Sequence, residues 1–70
     1  MGKTKIQSVL LSRELFTKQQ AIDWVKRHGF RYRKVDPTER YWRFRQFDPH
    51  KRAKKRIITF TQGIRAIVEI

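Results

Sequence analysis

The chain has no cysteine among its 70 residues, only three glycines and two prolines, and only six acidic residues. Each shortage excludes a class of chemistry. Without cysteine there is no disulfide framework, no thiolate nucleophile and no thiolate-bound zinc, which points to a reducing, intracellular setting. The two histidines, His28 and His50, fall in different predicted elements, and the acids are scattered singly. No metal-ligand spacing arises from them. Neither histidine has the serine and carboxylate partners of a nucleophilic triad. Asp36 and Glu39 are close in sequence but belong to a predicted turn, where solvated caps are the default. Gly29 and Gly63 are isolated, so no glycine-rich phosphate loop exists. These absences predict a protein that is not an enzyme and that uses no cofactor and no metal. Nor is there a signal peptide or an apolar run of about 18 residues, the length of a spanning helix. Val9-Leu10-Leu11 is far too short for either, so no membrane span is expected.

What the chain has in excess is positive charge. Eighteen lysines and arginines against six acids give a formal charge of +12. Such an excess opposes compaction by self-repulsion and favours a polyanionic partner. Thirteen of the eighteen lie between Lys26 and Arg56, where only Asp36, Glu39 and Asp48 oppose them. Nucleic acid is the commonest partner for so lopsided a balance, ahead of an anionic membrane or an acidic protein. Aromatic residues are also plentiful, with five Phe, two Trp and two Tyr. Each can bury roughly 150–250 Å², which partly compensates for the small core of a short domain.

Hydrophobic patterning predicts a single α+β domain over residues 1–70, ordered β-α-β-β-β-β, with one helix packed on a mostly antiparallel sheet. Residues 1–5 form a flexible basic arm. Residues 6–11 read as a first strand, apolar on both parities and so either central or paired with another molecule. Thr17-Lys18-Gln19-Gln20 matches a capping box. Ala21, Trp24, Val25 and His28 then recur on one face, giving a helix over residues 18–28. Gly29 follows as a left-handed cap, with Phe30 folding back on Val25. Residues 30–35 alternate as a second strand, 36–39 turn, and 40–47 return as its hairpin partner. Residues 50–56 form a basic loop, since like charges repel one another out of packed elements. Residues 57–61 and 64–70 are the last two strands, joined by a tight turn at Gln62-Gly63.

The strand 41–47 would point Trp42 and Phe44 to one side, and Tyr41, Arg43, Arg45 and Phe47 to the other. If the hairpin register agrees, Arg31 and Arg33 join Arg43 and Arg45 on one basic face. Guanidinium groups suit phosphate or stack on bases. The expected nucleic-acid contacts are therefore Arg31, Arg33, Arg43 and Arg45, with Tyr41 and Phe47 placed to stack on unpaired bases. Lys51, Arg52, Lys54, Lys55 and Arg56 would form a second, flexible contact. Trp24, Trp42 and Phe44 are assigned to the core, and Ile58 and Phe60 are expected to face it. The helix presents Lys18, Gln19, Asp23, Lys26 and Arg27 outward without a sign of base reading, so sequence-independent binding is expected.

Several phrases carry a family likeness: Phe16-Thr17-Lys18-Gln19-Gln20-Ala21-Ile22-Asp23-Trp24, His28-Gly29-Phe30, Lys34-Val35-Asp36, Tyr41-Trp42-Arg43-Phe44-Arg45-Gln46 and the closing Gly63-Ile64. Together they resemble a small uncharacterised domain of tailed-phage and large DNA virus proteins, found alone or attached to larger phage proteins. The likeness spans residues 6–68. It implies a viral or mobile-element setting, hence the host cytoplasm or nucleus, or the virion, and it implies no particular activity. The basic run at residues 51–56 is denser than that domain usually shows.

The expected function is thus non-enzymatic, sequence-independent nucleic-acid binding, with DNA favoured over RNA. The alternative is a small viral structural or assembly protein that contacts acidic protein surfaces or a packaged genome. Val9, Leu11, Ile67 or Ile70 exposed at a sheet edge would favour the alternative, through strand pairing with a protein partner or a second copy.

Overall fold

Val9 and Leu11 are fully buried and Leu10 between them is nearly so, in a strand that lies in the middle of the sheet. The computed structural model describes residues 5–48 and 51–69. Its elements are β1 (Lys5–Ser12), α1 (Lys18–Arg27), β2 (Asp36–Pro37), β3 (Tyr41–Arg45), β4 (Lys55–Thr61) and β5 (Ile64–Glu69). The strands form one antiparallel sheet in the order β2-β3-β1-β5-β4. This is the expected α+β architecture, in the expected element order. No helix among the described residues is long and apolar enough to cross a membrane. Residues 1–4, Pro49, His50 and Ile70 lie outside the described residues, and with them most of the N-terminal arm and the first residue of the basic run.

Strand register separates the two faces of the sheet. Phe44 pairs with Val9 and Trp42 with Leu11 across β3 and β1, while Ala66 and Ile64 of β5 take the same rows on the other side. Val9, Leu11, Phe44 and Ile64 form the buried cluster with Ala21 and Val25 of α1, and Trp42 packs against it. Arg43 pairs with Leu10 and Arg45 with Ser8. They point away from the helix, as the alternation within β3 requires.

Both ends of α1 are closed by the residues that announced it. Thr17 Oγ1 accepts from the Gln20 N–H at 3.2 Å and Gln20 Oε1 accepts from the Thr17 N–H at 2.9 Å, a reciprocal capping box. At the other end Gly29 takes φ +78°, and the Gly29 and Phe30 N–H groups donate to the Lys26 and Val25 carbonyls at 3.2 and 3.1 Å. That pair of bonds is the left-handed helix stop that a glycine at this place permits. His28 is the cap residue itself, its ring stacked on Trp24 at 3.8 Å.

Three expectations need correction. Residues 30–35 do not form a strand; the second strand is Asp36–Pro37, paired through Asp36–Arg43 and Pro37–Trp42. The helix stop delivers the chain at Phe30 beside the core, where Phe30, Tyr32 and Val35 pack as separate side chains. The turn accordingly shifts past residue 37, closed by the Thr38 N–H donating to the Tyr41 carbonyl at 2.8 Å. Second, the basic run is not wholly a loop, since Lys55 and Arg56 open β4. At the sheet edge their side chains stay in water, so the like charges cost little there. Third, Phe60 is 43% exposed: it sits at a register shift between Thr59 and Thr61, with its ring 6.2 Å from Trp24.

Candidate functional site

The four arginines singled out from the sequence divide into two groups. Arg43 is engaged within the sheet. A register shift between Ile6 and Ser8 inserts Gln7 as an extra residue in β1. Gln7 and Ser8, both fully buried, are bonded to each other at 2.6 Å. Arg43 Nε donates to Ser8 Oγ at 3.2 Å and its terminal nitrogen donates to Gln7 Oε1 at 3.4 Å. Arg43 thus adds donors to a buried polar pair, Ser8 Oγ and Gln7 Oε1, that are already bonded to each other. It is a structural cation first.

Arg31, Arg33 and Arg45 do come together, by a route other than a hairpin. The segment following the helix stop and the segment ending β3 face each other across an open cleft of about 710 Å³. Phe30, Arg31, Tyr32, Arg33 and Lys34 line one wall, and Arg45, Gln46, Phe47 and Asp48 the other. Four cations, three aromatic rings and one acid therefore border a single depression. Lys26 of α1 lies 5.6 Å from the centre of the Tyr32 ring, adding a fifth cation close by.

Gln46 makes this cleft. Its Oε1 accepts from the Arg31 N–H at 2.8 Å, and its Nε2 donates to the Arg31 carbonyl at 3.1 Å and to the Phe44 carbonyl at 3.2 Å. One side-chain amide thus supplies the two backbone bonds a neighbouring strand would have given residue 31. The Arg31 side chain remains exposed. Gln7 anchors the opposite wall: its carbonyl accepts from the Gln46 N–H and its Nε2 donates to the Phe47 carbonyl, both at 2.7 Å. Neither glutamine stands out in the sequence; the only local sign is that Gln46 follows β3 directly. Replacing Gln46 with leucine keeps the volume and removes the clasp. The expected result is a loss of about 1–2 kcal/mol in stability and at least roughly tenfold faster hydrogen exchange at the Arg31 amide. Unchanged protection of that amide would show that the wall is held by something else.

Charge at the cleft is only loosely compensated. Arg45 reaches Asp48 at 3.8 Å, and the Asp48 side chain is 96% exposed. Arg45 Nε is buried and has no protein acceptor. So weak a surface pair competes poorly with a phosphate for the guanidinium.

The remaining candidates lie elsewhere. Tyr41 shares the Arg43 face by register but lines a separate groove of about 310 Å³ with Ser12, Arg13, Glu14, Glu39 and Arg40. It is not part of the basic cleft; Tyr32 takes the place expected of it. Lys51, Arg52, Lys54, Lys55 and Arg56 are all exposed along the approach to β4 and its first residues. Arg13, not singled out from the sequence, lies 4.7 Å over the Trp42 ring and donates to the Thr38 carbonyl at 2.6 Å, which ties the β2–β3 hairpin to the end of β1. Among the described residues no group of three or more His, Cys, Asp or Glu is placed to hold a metal ion.

Comparison with known protein families, with characterised proteins and with solved structures returned no match. The site is therefore read from its own chemistry.

Proposed function

We propose that this protein binds nucleic acid without catalysing a reaction on it, and does so largely independently of sequence. The observation that carries the reading is the cleft, where Arg31, Arg33, Lys34 and Arg45 converge beside aromatic rings in a chain of net charge +12. Arg and Lys side chains so placed meet phosphates without needing a particular base order. The basic run from Lys51 to Arg56 extends the contact along the backbone, with DNA the favoured form. Binding to duplex DNA, single-stranded DNA and RNA across a salt series tests it. With six to eight phosphates engaged, log affinity should fall against log salt with a slope of about −5 to −7 on duplex and somewhat less on single strands. A slope near zero, or no binding to any of the three at low salt, would contradict the proposal.

A second reading, a small viral structural or assembly protein, draws on β4. Val9 and Leu11 are buried and Ile67 is half-buried, so these three of the edge residues first considered for it do not serve; the fourth, Ile70, lies outside the described residues. Ile57 and Phe60, 59% and 43% exposed on the terminal strand, take their place. A discrete assembly whose mass survives nuclease treatment would favour that role.

A further inference from the structure

We infer that the cleft receives an unpaired nucleotide, so that the nucleic acid is single-stranded where this protein grips it. The inference rests on the nucleic-acid reading and deepens it. The composition of the lining is the first argument. Arg31, Arg33 and Arg45 line one depression together with Tyr32 and Phe47. A duplex keeps its base faces within the stack and offers phosphates and groove edges, for which ring-lined walls have no use. An unpaired strand offers phosphates and π faces together, and grooves that bind such strands set aromatic rings beside cations.

Size and rigidity agree with this. About 710 Å³ lies within the range of roughly 300–1,000 Å³ typical of sites for small organic ligands, enough for a nucleotide. Both walls are fixed before any ligand arrives, one through the two Gln46–Arg31 bonds and the other through Gln7, which holds Gln46 and Phe47 at 2.7 Å each. A base entering the cleft therefore meets a surface already ordered, and the cost of ordering it has been met by folding. Phosphates on either side of that base then find guanidinium groups on both walls.

The test is a comparison of three probes at one low salt concentration, read by fluorescence anisotropy on the whole chain. The first is a single strand of about 12 nucleotides, within the usual range of single-strand site sizes. The second is the same strand with abasic residues at its internal positions, and the third is the corresponding duplex. The base-bearing strand is expected to bind about tenfold tighter than either of the others. The preference should hold in deoxy and ribo forms alike, because stacking and phosphate pairing do not involve the 2′ position. Phe47→Leu and, separately, Tyr32→Leu should each erase most of the preference while leaving affinity for the abasic strand within about twofold. Equal binding of abasic and base-bearing strands, or tighter binding of the duplex, overturns the inference and leaves the nucleic-acid reading standing. Absence of binding to all three overturns both. Since the comparison of probes uses the unaltered protein, it decides the matter even if a variant fails to fold.

Discussion

Phe44→Ala is expected to remove about half of the folding stability at 25 °C. Phe44 has no exposed surface and is the largest of the fully buried side chains. It sits on β3 opposite Val9, in the cluster that joins the sheet to Ala21 and Val25 of α1. Removing a buried phenyl ring costs about 3–5 kcal/mol, part transfer energy and part unfilled cavity. A chain of 70 residues has in total only about 4–10 kcal/mol to lose. Urea denaturation followed by tryptophan fluorescence would show it, since Trp42 and Trp24 both pack against this cluster. The midpoint should fall by about 2–4 M at the slopes usual for small proteins. A loss below about 1.5 kcal/mol would mean that the neighbouring side chains collapse into the space, as they can at a loosely packed site.

The largest functional effect is expected from replacing Arg31, Arg33 and Lys34 together with glutamine. All three are exposed on one wall of the cleft, and only the backbone of Arg31 serves the fold, through Gln46. Stability should therefore stay within about 0.5 kcal/mol of the parent. Affinity should not. If each side chain neutralises one phosphate, the salt slope on a single strand becomes shallower by about 2.1, and binding at 0.1 M salt weakens by about two orders of magnitude. Removing Lys18 and Arg40, which line other grooves, provides the control. If that variant loses as much slope per charge, binding follows overall charge and no particular cleft. A deeper loss for the wall variant would locate the contact.

How much of this could be read in advance differs from element to element. The helix was fully announced, because a capping box, an apolar stripe and a terminal glycine are all local, and the bonds they make span no more than five residues. β3 was announced nearly as well. Its strict alternation assigns Trp42 and Phe44 to one face and Arg43 and Arg45 to the other, and pairing with β1 keeps that assignment. Residues 30–35 show where such reading stops. Phe30, Arg31, Tyr32 and Arg33 alternate as a strand does, but a period of two also results when an irregular segment lays every other side chain on a core. No ladder awaited that segment, because β1 and β2 already occupy the two sides of β3.

By itself the sequence determined the fold class, the helix and its two stops, the inward and outward sides of β3, and a net charge of +12. These follow from residue type and short spacings. Only the tertiary structure decided which cations act together. It committed Arg43 to Ser8 and Gln7, and left Arg31, Arg33, Lys34 and Arg45 facing one another across a cleft. The bonds responsible join Gln46 to Arg31 and Gln7 to Phe47, 15 and 40 residues apart. A pattern along the chain tells which way side chains alternate, but not which distant backbone each will meet.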